Sequence, residues 1–302
     1  MTAVRGVGWR SLADSAESCA GWVLMACFLF PLIWMAGYAA VSSCGGVGVL
    51  SAGWTLDHWE RVLSGGRIWR SLLLSSGVAV TATGLGWLLA AGLVCGLRPL
   101  REDVRMQSLW YVPLSIPPVA AGFLASLWLS RSGLISRIAW LLGLSSGIDD
   151  FPVLVQDRLG IGLLFTLTCG TLPLLTLYLL RIWRTAGVDH YVSAACALGA
   201  SRGYALRKIA LAMLWRRSGP LLLMVFLWNF SAWEVPLLLG RNSSPMLSVL
   251  IQRSSGQFVL EERPQAFGYA VMYLVVSGTA VWLISGERGL SAVRSARESG
   301  DV

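Results

Sequence analysis

The chain has 302 residues, 55% of them hydrophobic and only 13% charged, with a mean hydropathy of +0.65 and a formal net charge of +8. Soluble domains carry about 25% charged residues, so this composition excludes an ordinary soluble domain and points to a membrane protein. The positive balance follows from membrane topology, as shown below, and gives no support to a nucleic-acid role.

Six long apolar runs, at residues 19–41, 71–97, 109–130, 159–180, 218–240 and 266–285, each approach the roughly 20 residues that cross a bilayer as helix. Only the fifth contains a charge, Glu234. Backbone polar groups must be satisfied internally in lipid, and no alternating ten-residue pattern suggests a barrel, so the expected fold is all-α and polytopic. The segment 1–18 precedes the first run. That run is long for a signal peptide, and Asp14 and Glu17 sit where a basic flank belongs, so it reads as a retained anchor.

With the N-terminus inside, fifteen of the 24 Lys and Arg residues fall on inner segments and nine on outer loops. Six spans with both termini on the cytoplasmic side, and a tail at 286–302, is the topology this bias favours. Trp110 and Trp128 flank the third run, and Trp183 and Trp215 bracket the inner loop 181–217, as interfacial aromatics do. His58 and His190 fall on opposite sides in this topology and share no metal site. The cysteines form no C-x-x-C pair and read as small buried hydrophobes.

In the second run Gly92 and Gly96 make a small-xxx-small pair, read as helix packing. In the third, "PLSIPP" carries Pro113, Pro117 and Pro118, which interrupt helical hydrogen bonding. Broken helices line transport paths in many carriers, which makes Pro117 and Pro118 candidate pathway residues, although a structural kink reads equally well. The outer string "SGLISRIAWLLGL" puts Leu134, Ile138, Leu141 and Leu142 on one helical face with Arg137 off it. It reads as a short amphipathic helix for the membrane surface or for a partner. "GIDDFP" then makes a polar turn with a proline stop.

The inner loop 181–217 holds seven Lys and Arg residues against one acid, Asp189. Val192, Ala195, Cys196 and Gly199 recur at helical spacing, and Leu206, Ile209, Ala210, Met213 and Leu214 do so again. Two short amphipathic helices meeting near Gly199, where glycine permits a sharp bend, would form an elbow. Such an elbow suits an anionic lipid surface or a groove on a soluble partner. In the fifth run Glu234, with Asn229 and Ser231 nearby, is costly in lipid. It should face the bundle interior, a cavity or the headgroup boundary.

The string Ser193-Ala194-Ala195-x-x-x-Gly199-Ala200-Ser201, followed by Arg202 and then Arg207-Lys208-Ile209-x-Leu211, resembles the E-A-A-x-x-x-G … I-x-L-P cytoplasmic loop of binding-protein-dependent ABC transporter permeases. Its place between the fourth and fifth of six spans matches that family. "TLDHWERVLSGGRIWRSLLLSS" and "SGLISRIAWLLGL" resemble the outer segments of such permeases, so the likeness covers roughly residues 55–285. "SAWEVPLLLG" is similar to the subgroup serving ferric iron, thiamine and polyamines. The family's glutamate is Ser193 here and its terminal proline is Ala212, which leaves the second elbow helix free to run on toward the fifth span.

The resemblance implies a type I importer permease fold within residues 19–285. It implies a non-catalytic subunit of a bacterial inner-membrane transporter, in which the elbow is a coupling helix seated on a separate ATPase. ATP and Mg would belong to that ATPase, and this chain would carry no cofactor of its own. No G-x-x-x-x-G-K-[ST] string occurs, and the only lysine is Lys208. The implied partners are ATPase subunits, a second permease subunit, identical or homologous, and an extracytoplasmic solute-binding protein. A membrane enzyme would need convergent nucleophiles, bases or metal ligands, whereas the span interiors offer one acid and no histidine. An ATP-independent secondary transporter or channel is the principal alternative; it would carry more intramembrane ionisable groups or internal repeats.

Overall fold

A computed structural model describes residues 6–47, 53–144, 147, 150–256 and 263–298. The first five residues, Ile148 and Asp149 of the outer turn, and the last four residues lie outside it. The described residues form helices and turns, with no strand among them. Six segments are long and apolar enough to cross a membrane: Ala20–Ser43, Arg67–Gly96, Pro118–Leu141, Ile161–Thr185, Arg202–Ser231 and Pro264–Leu283. The chain divides into two compact units, residues 1–64 with 254–274 and residues 65–253 with 275–302.

The first unit contains α1 (Gly6–Ser43), α2 (Asp57–Ser64) and the start of α14 (Arg263–Glu298). Most large side chains of α1 from Trp22 to Met35 are exposed, as a lipid-facing helix requires. Ser43 joins α1 to α2: its hydroxyl donates to the Ala40 carbonyl at 2.7 Å and accepts from the Trp59 indole at 3.2 Å. Gly268 of α14 lies over Val62 of α2; a Cβ there would stand 3.2 Å from Val62 Cγ2. Tyr38 and Phe267 meet edge to face at 5.7 Å.

The second unit is built on α3 (Arg67–Gly96), α8 (Ile161–Thr185) and α11 (Leu211–Ser231). Small residues on α3, among them Ala79, Ala82, Ala90 and Ala91, are buried and let the helices approach closely. Gly86 faces α8 tightly: a Cβ there would stand 3.0 Å from Leu175 Cδ1 and 3.3 Å from Thr171 Oγ1. Gly92 and Gly96, read from the sequence as a packing pair, have open space around them, and α8 packs instead on the face of α3 that carries Ala90, Ala91 and Val94. Trp87 ties α3 to α11 by an indole hydrogen bond to Ser218 Oγ at 3.0 Å and an edge-to-face contact with Trp215 at 4.9 Å. The Thr166, Thr171 and Thr176 hydroxyls donate to carbonyls of their own helix, which satisfies them without water.

Two apolar runs are not continuous helices. The third begins with short turns at Leu109–Tyr111 and Pro113–Ser115, is extended at Ile116 and Pro117, and becomes helical only in α6 (Pro118–Leu129). Neither Pro117 nor Pro118 has an N–H, so the Leu114 carbonyl finds no helical donor three or four residues on. The fifth run stops at Ser231, is irregular at Ala232 and Trp233, and resumes as α12 (Glu234–Leu239). At its other end it is longer than the run suggests, because helical structure starts at Arg202. Between α3 and the third run lie α4 (Arg98–Glu102) and α5 (Val104–Ser108). The string "SGLISRIAWLLGL" forms α7 (Leu134–Leu141), with Ser136 buried and Leu134, Ile138, Leu141 and Leu142 exposed. α13 (Leu247–Gly256) docks on α3 where the Leu247 N–H donates to Ser75 Oγ at 2.7 Å. The segment read as a tail remains helical to Glu298.

Candidate functional site

The stretch 181–217 folds as the elbow that its periodicity suggests. Gly187, at φ +61°, turns the chain out of α8 and into α9 (Val188–Ala197). α9 is closed by Gly199 at φ +92°. The Ala200 N–H donates to the Ala195 carbonyl and the Gly199 N–H to the Cys196 carbonyl, both at 3.0 Å. This paired closure needs a left-handed residue, which only glycine adopts without cost. Ser201 is extended and accepts a hydrogen bond from the Tyr204 N–H at 3.4 Å, capping α10 (Arg202–Ala205). A single π turn, Leu206–Ala210, then leads without interruption into α11. With Ala212 in place of a proline, nothing stops the helix there.

One side of the elbow is packed and the other is open. Val188, Val192, Ala205, Ala210 and Leu214 are buried in a core with Val94 of α3 and Leu179 and Trp183 of α8; Ala195, Cys196, Ile209 and Leu211 pack half-buried against it. Ser193, Ala194, Gly199, Ser201, Arg202, Arg207 and Lys208 are exposed, and Ala200 is half-buried. Tyr191, Tyr204 and Leu198 also project, Leu198 being 89% exposed. The family-like string gave no sign of these three apolar side chains. Their signal was simply large apolar residues among small and basic ones.

A cavity of about 740 Å³ lies beside the broken third and fifth runs. Its lining includes Pro117, Pro118, Trp128, Phe165, Trp228 and Asn229, and no Asp, Glu, Lys or Arg. Asn229 is fully buried. Its Nδ2 donates to Thr83 Oγ1 at 3.1 Å, while its Oδ1 has no partner. Of the candidate pathway residues, Pro117, Pro118 and Asn229 therefore share one cavity. Ser231 and Glu234 are not in its lining. Ser231 is exposed and donates back to the Trp228 carbonyl at 3.0 Å. Glu234 is half-buried in the first turn of α12, where a carboxylate suits the helix N-terminus. Gly122 brings α6 against α12, with a Cβ there 3.4 Å from Val235 Cα and 3.2 Å from Leu238 Cδ1.

Among the described residues, no group of three or more His, Cys, Asp or Glu side chains is placed to hold a metal ion. No family model matches the chain, and no curated protein matches it. Solved structures do. One is a chain of a bacterial alginate ABC transporter in complex with an alginate pentasaccharide-bound periplasmic protein, at TM-score 0.67 and 17% identity, covering 89% of this chain and 94% of that one. Another is a chain of a bacterial ABC transporter involved in the import of the acidic polysaccharide alginate, at TM-score 0.66 and 17% identity, covering 92% and 98%. The all-α architecture with six membrane-competent segments is thus a fold shared with chains of ABC importers.

Proposed function

We propose that this chain is a membrane-spanning permease subunit of an ATP-binding-cassette importer, forming half of a solute pathway and hydrolysing no ATP itself. The observation that carries this reading is the elbow between α8 and α11 on an importer-like fold. It is anchored by a buried apolar side and presents Tyr191, Leu198 and Tyr204 among basic residues on the other. Exposed apolar side chains on both short helices and at the turn between them suit a groove on a soluble partner, and Arg202, Arg207 and Lys208 would complement an acidic rim.

The partner would be an ATPase that holds ATP and Mg. Its closure would move the elbow, and the spans would rock between two arrangements with different contacts. The cavity beside Pro117, Pro118 and Asn229 is the segment of the path this chain would supply. A single six-span set calls for a second permease subunit, identical or homologous, and a solute-binding protein would deliver cargo on the outer side. The elbow and both termini would then face the cytoplasm of a bacterial cell, with the spans in its inner membrane. Within importers, "SAWEVPLLLG" and its Glu234 support the subgroup that serves ferric iron, thiamine and polyamines.

Affinity purification of the tagged chain from its native membrane in mild detergent tests this reading. A co-purifying soluble ATPase that is lost in Gly199→Glu supports it. A chain that purifies alone from several mild detergents, with no nucleotide hydrolysis, overturns it and leaves an ATP-independent transporter.

A further inference from the structure

The joint between α8 and the elbow is a glycine, Gly187, in a left-handed conformation, and a Cβ there would touch only the His190 ring at 3.5 Å. The backbone of such a joint turns freely, and apolar packing of Val188 and Val192 holds α9 to the spans without fixing its direction. Three side chains add the directional contacts.

Trp183, in the last turns of α8, is 2% exposed, and its indole Nε1 donates to Asp189 Oδ2 at 2.8 Å in the first turn of α9. Arg101 is 8% exposed, and its guanidinium carbon lies 4.6 Å from the centroid of the same indole ring. Arg101 Nη1 donates to the carbonyls of Val94 at 2.7 Å and Cys95 at 3.0 Å, which are orphan acceptors at the end of α3. Arg184 Nη2 donates to the Arg101 carbonyl at 2.9 Å, and Gln107 Nε2 to that of Leu100 at 2.9 Å, so the Arg101 backbone is held as well.

The chemistry of the three groups is mutually supporting. A cation on the ring face draws electron density from the indole, which strengthens its N–H as a donor to the carboxylate. Arg101 and Asp189 thus bear on one another through the ring. Asp189 also lies one helical turn before Ser193, so the acid in α9 is on the same face but is committed to Trp183.

We infer that Arg101, Trp183 and Asp189 form a clamp that makes α9 rigid with the ends of α3 and α8, and that Asp189 is the positioning residue through which displacement of the elbow reaches both spans. The clamp is a property of the fold; its use in coupling rests on the importer reading above.

The test uses the full chain, with its co-purified partners, carrying nitroxide amino acids at Leu97, at the end of α3, and at Ala197, the exposed last residue of α9, which leaves Leu198 in place. Pulsed electron-spin distances are compared among the parent, Trp183→Phe, Asp189→Ala and Asp189→Asn. Trp183→Phe keeps a ring under Arg101 but loses the N–H, and Asp189→Asn keeps an acceptor oxygen. The expected result is a narrow distribution in the parent and in Asp189→Asn, and a clearly broadened one in Trp183→Phe and Asp189→Ala; the melting temperature falls in Trp183→Phe, which loses buried volume, and stays close to the parent's in both Asp189 variants, so broadening in Asp189→Ala is separate from destabilisation. In the complex, the two broadened variants are expected to keep ATP hydrolysis and lose the nucleotide-driven distance change. Equal widths in all four proteins would overturn the clamp. Absence of an ATPase from the parent preparation would sink the importer reading alone, because the widths judge the clamp without nucleotide.

Discussion

Asn229 and Thr83 form a hydrogen bond between α11 and α3 in the interior of the second unit, Nδ2 to Oγ1 at 3.1 Å, and leave the Asn229 Oδ1 without a partner beside the 740 Å³ cavity. Interhelical hydrogen bonds in membranes contribute about 0.6 kcal/mol on average, too little to account for keeping a buried amide with half its capacity unused. Asn229→Ala should therefore lower the melting temperature in detergent only slightly, while uptake by cells carrying the full complex falls roughly tenfold, equivalent to about 1.4 kcal/mol. A large fall in melting temperature with uptake intact would confine Asn229 to packing.

Leu198 separates docking from folding. Its side chain is 89% exposed at the elbow tip, so Leu198→Asp removes almost no internal contact and should leave thermal unfolding within about 0.5 kcal/mol of the parent, as for surface substitutions generally. The same change puts a charge into the proposed apolar contact, and the ATPase recovered with the tagged chain should drop severalfold. Undiminished recovery would move the contact elsewhere on the elbow.

Gly199 should respond to backbone conformation rather than to crowding. A Cβ at this position meets nothing within 4 Å, but φ is +92°. Gly199→Ala should cost about 1 kcal/mol, with faster amide exchange in Val188–Ala197 and partial retention of the ATPase. Exchange indistinguishable from the parent would mean that the closure of α9 tolerates a side chain and the glycine is dispensable.

Gly86 and Gly92 make a matched pair on one helix. Gly86→Val drives atoms into Leu175 and Thr171, whereas Gly92→Val enters open space. The first should destabilise the chain by about 1–3 kcal/mol, the usual cost of overpacking, and the second should be close to neutral in thermal unfolding. Equal effects would contradict the closeness of α3 and α8 at Gly86.

The elbow and the proline break could be read before the structure because both are local. Val192, Ala195 and Cys196 mark a buried face by spacing alone, Gly199 marks a turn, and Pro117–Pro118 removes two donors in succession. Other features depend on partners distant in sequence. The break at Ala232–Trp233 has a local part, since Pro236 lacks the N–H that would bond the Ala232 carbonyl, and a distant one, since that carbonyl accepts instead from the Ser248 hydroxyl. Gly92 and Gly96 carry the small-residue spacing, yet Gly86, Ala90, Ala91 and Val94 face α8, because spacing gives a face without saying which helix covers it. Ser231 and Glu234 looked equivalent to Asn229 in the fifth run. Ser231 is still in α11 but two residues, about 200°, round the helix from Asn229, and the irregular turn that follows re-aims Glu234, so neither is in the cavity lining. Arg101 reads as one more inner-loop charge until α4 folds it under the end of α3 and over Trp183.

The most direct test of the central claim is a photo-crosslink from the elbow tip. A benzophenone amino acid in place of Leu198, irradiated in native membranes, should yield one adduct with a soluble nucleotide-hydrolysing protein, and its amount should change when ATP is added. An adduct pattern confined to lipid would place the elbow on the membrane surface and contradict an ATPase-coupled importer.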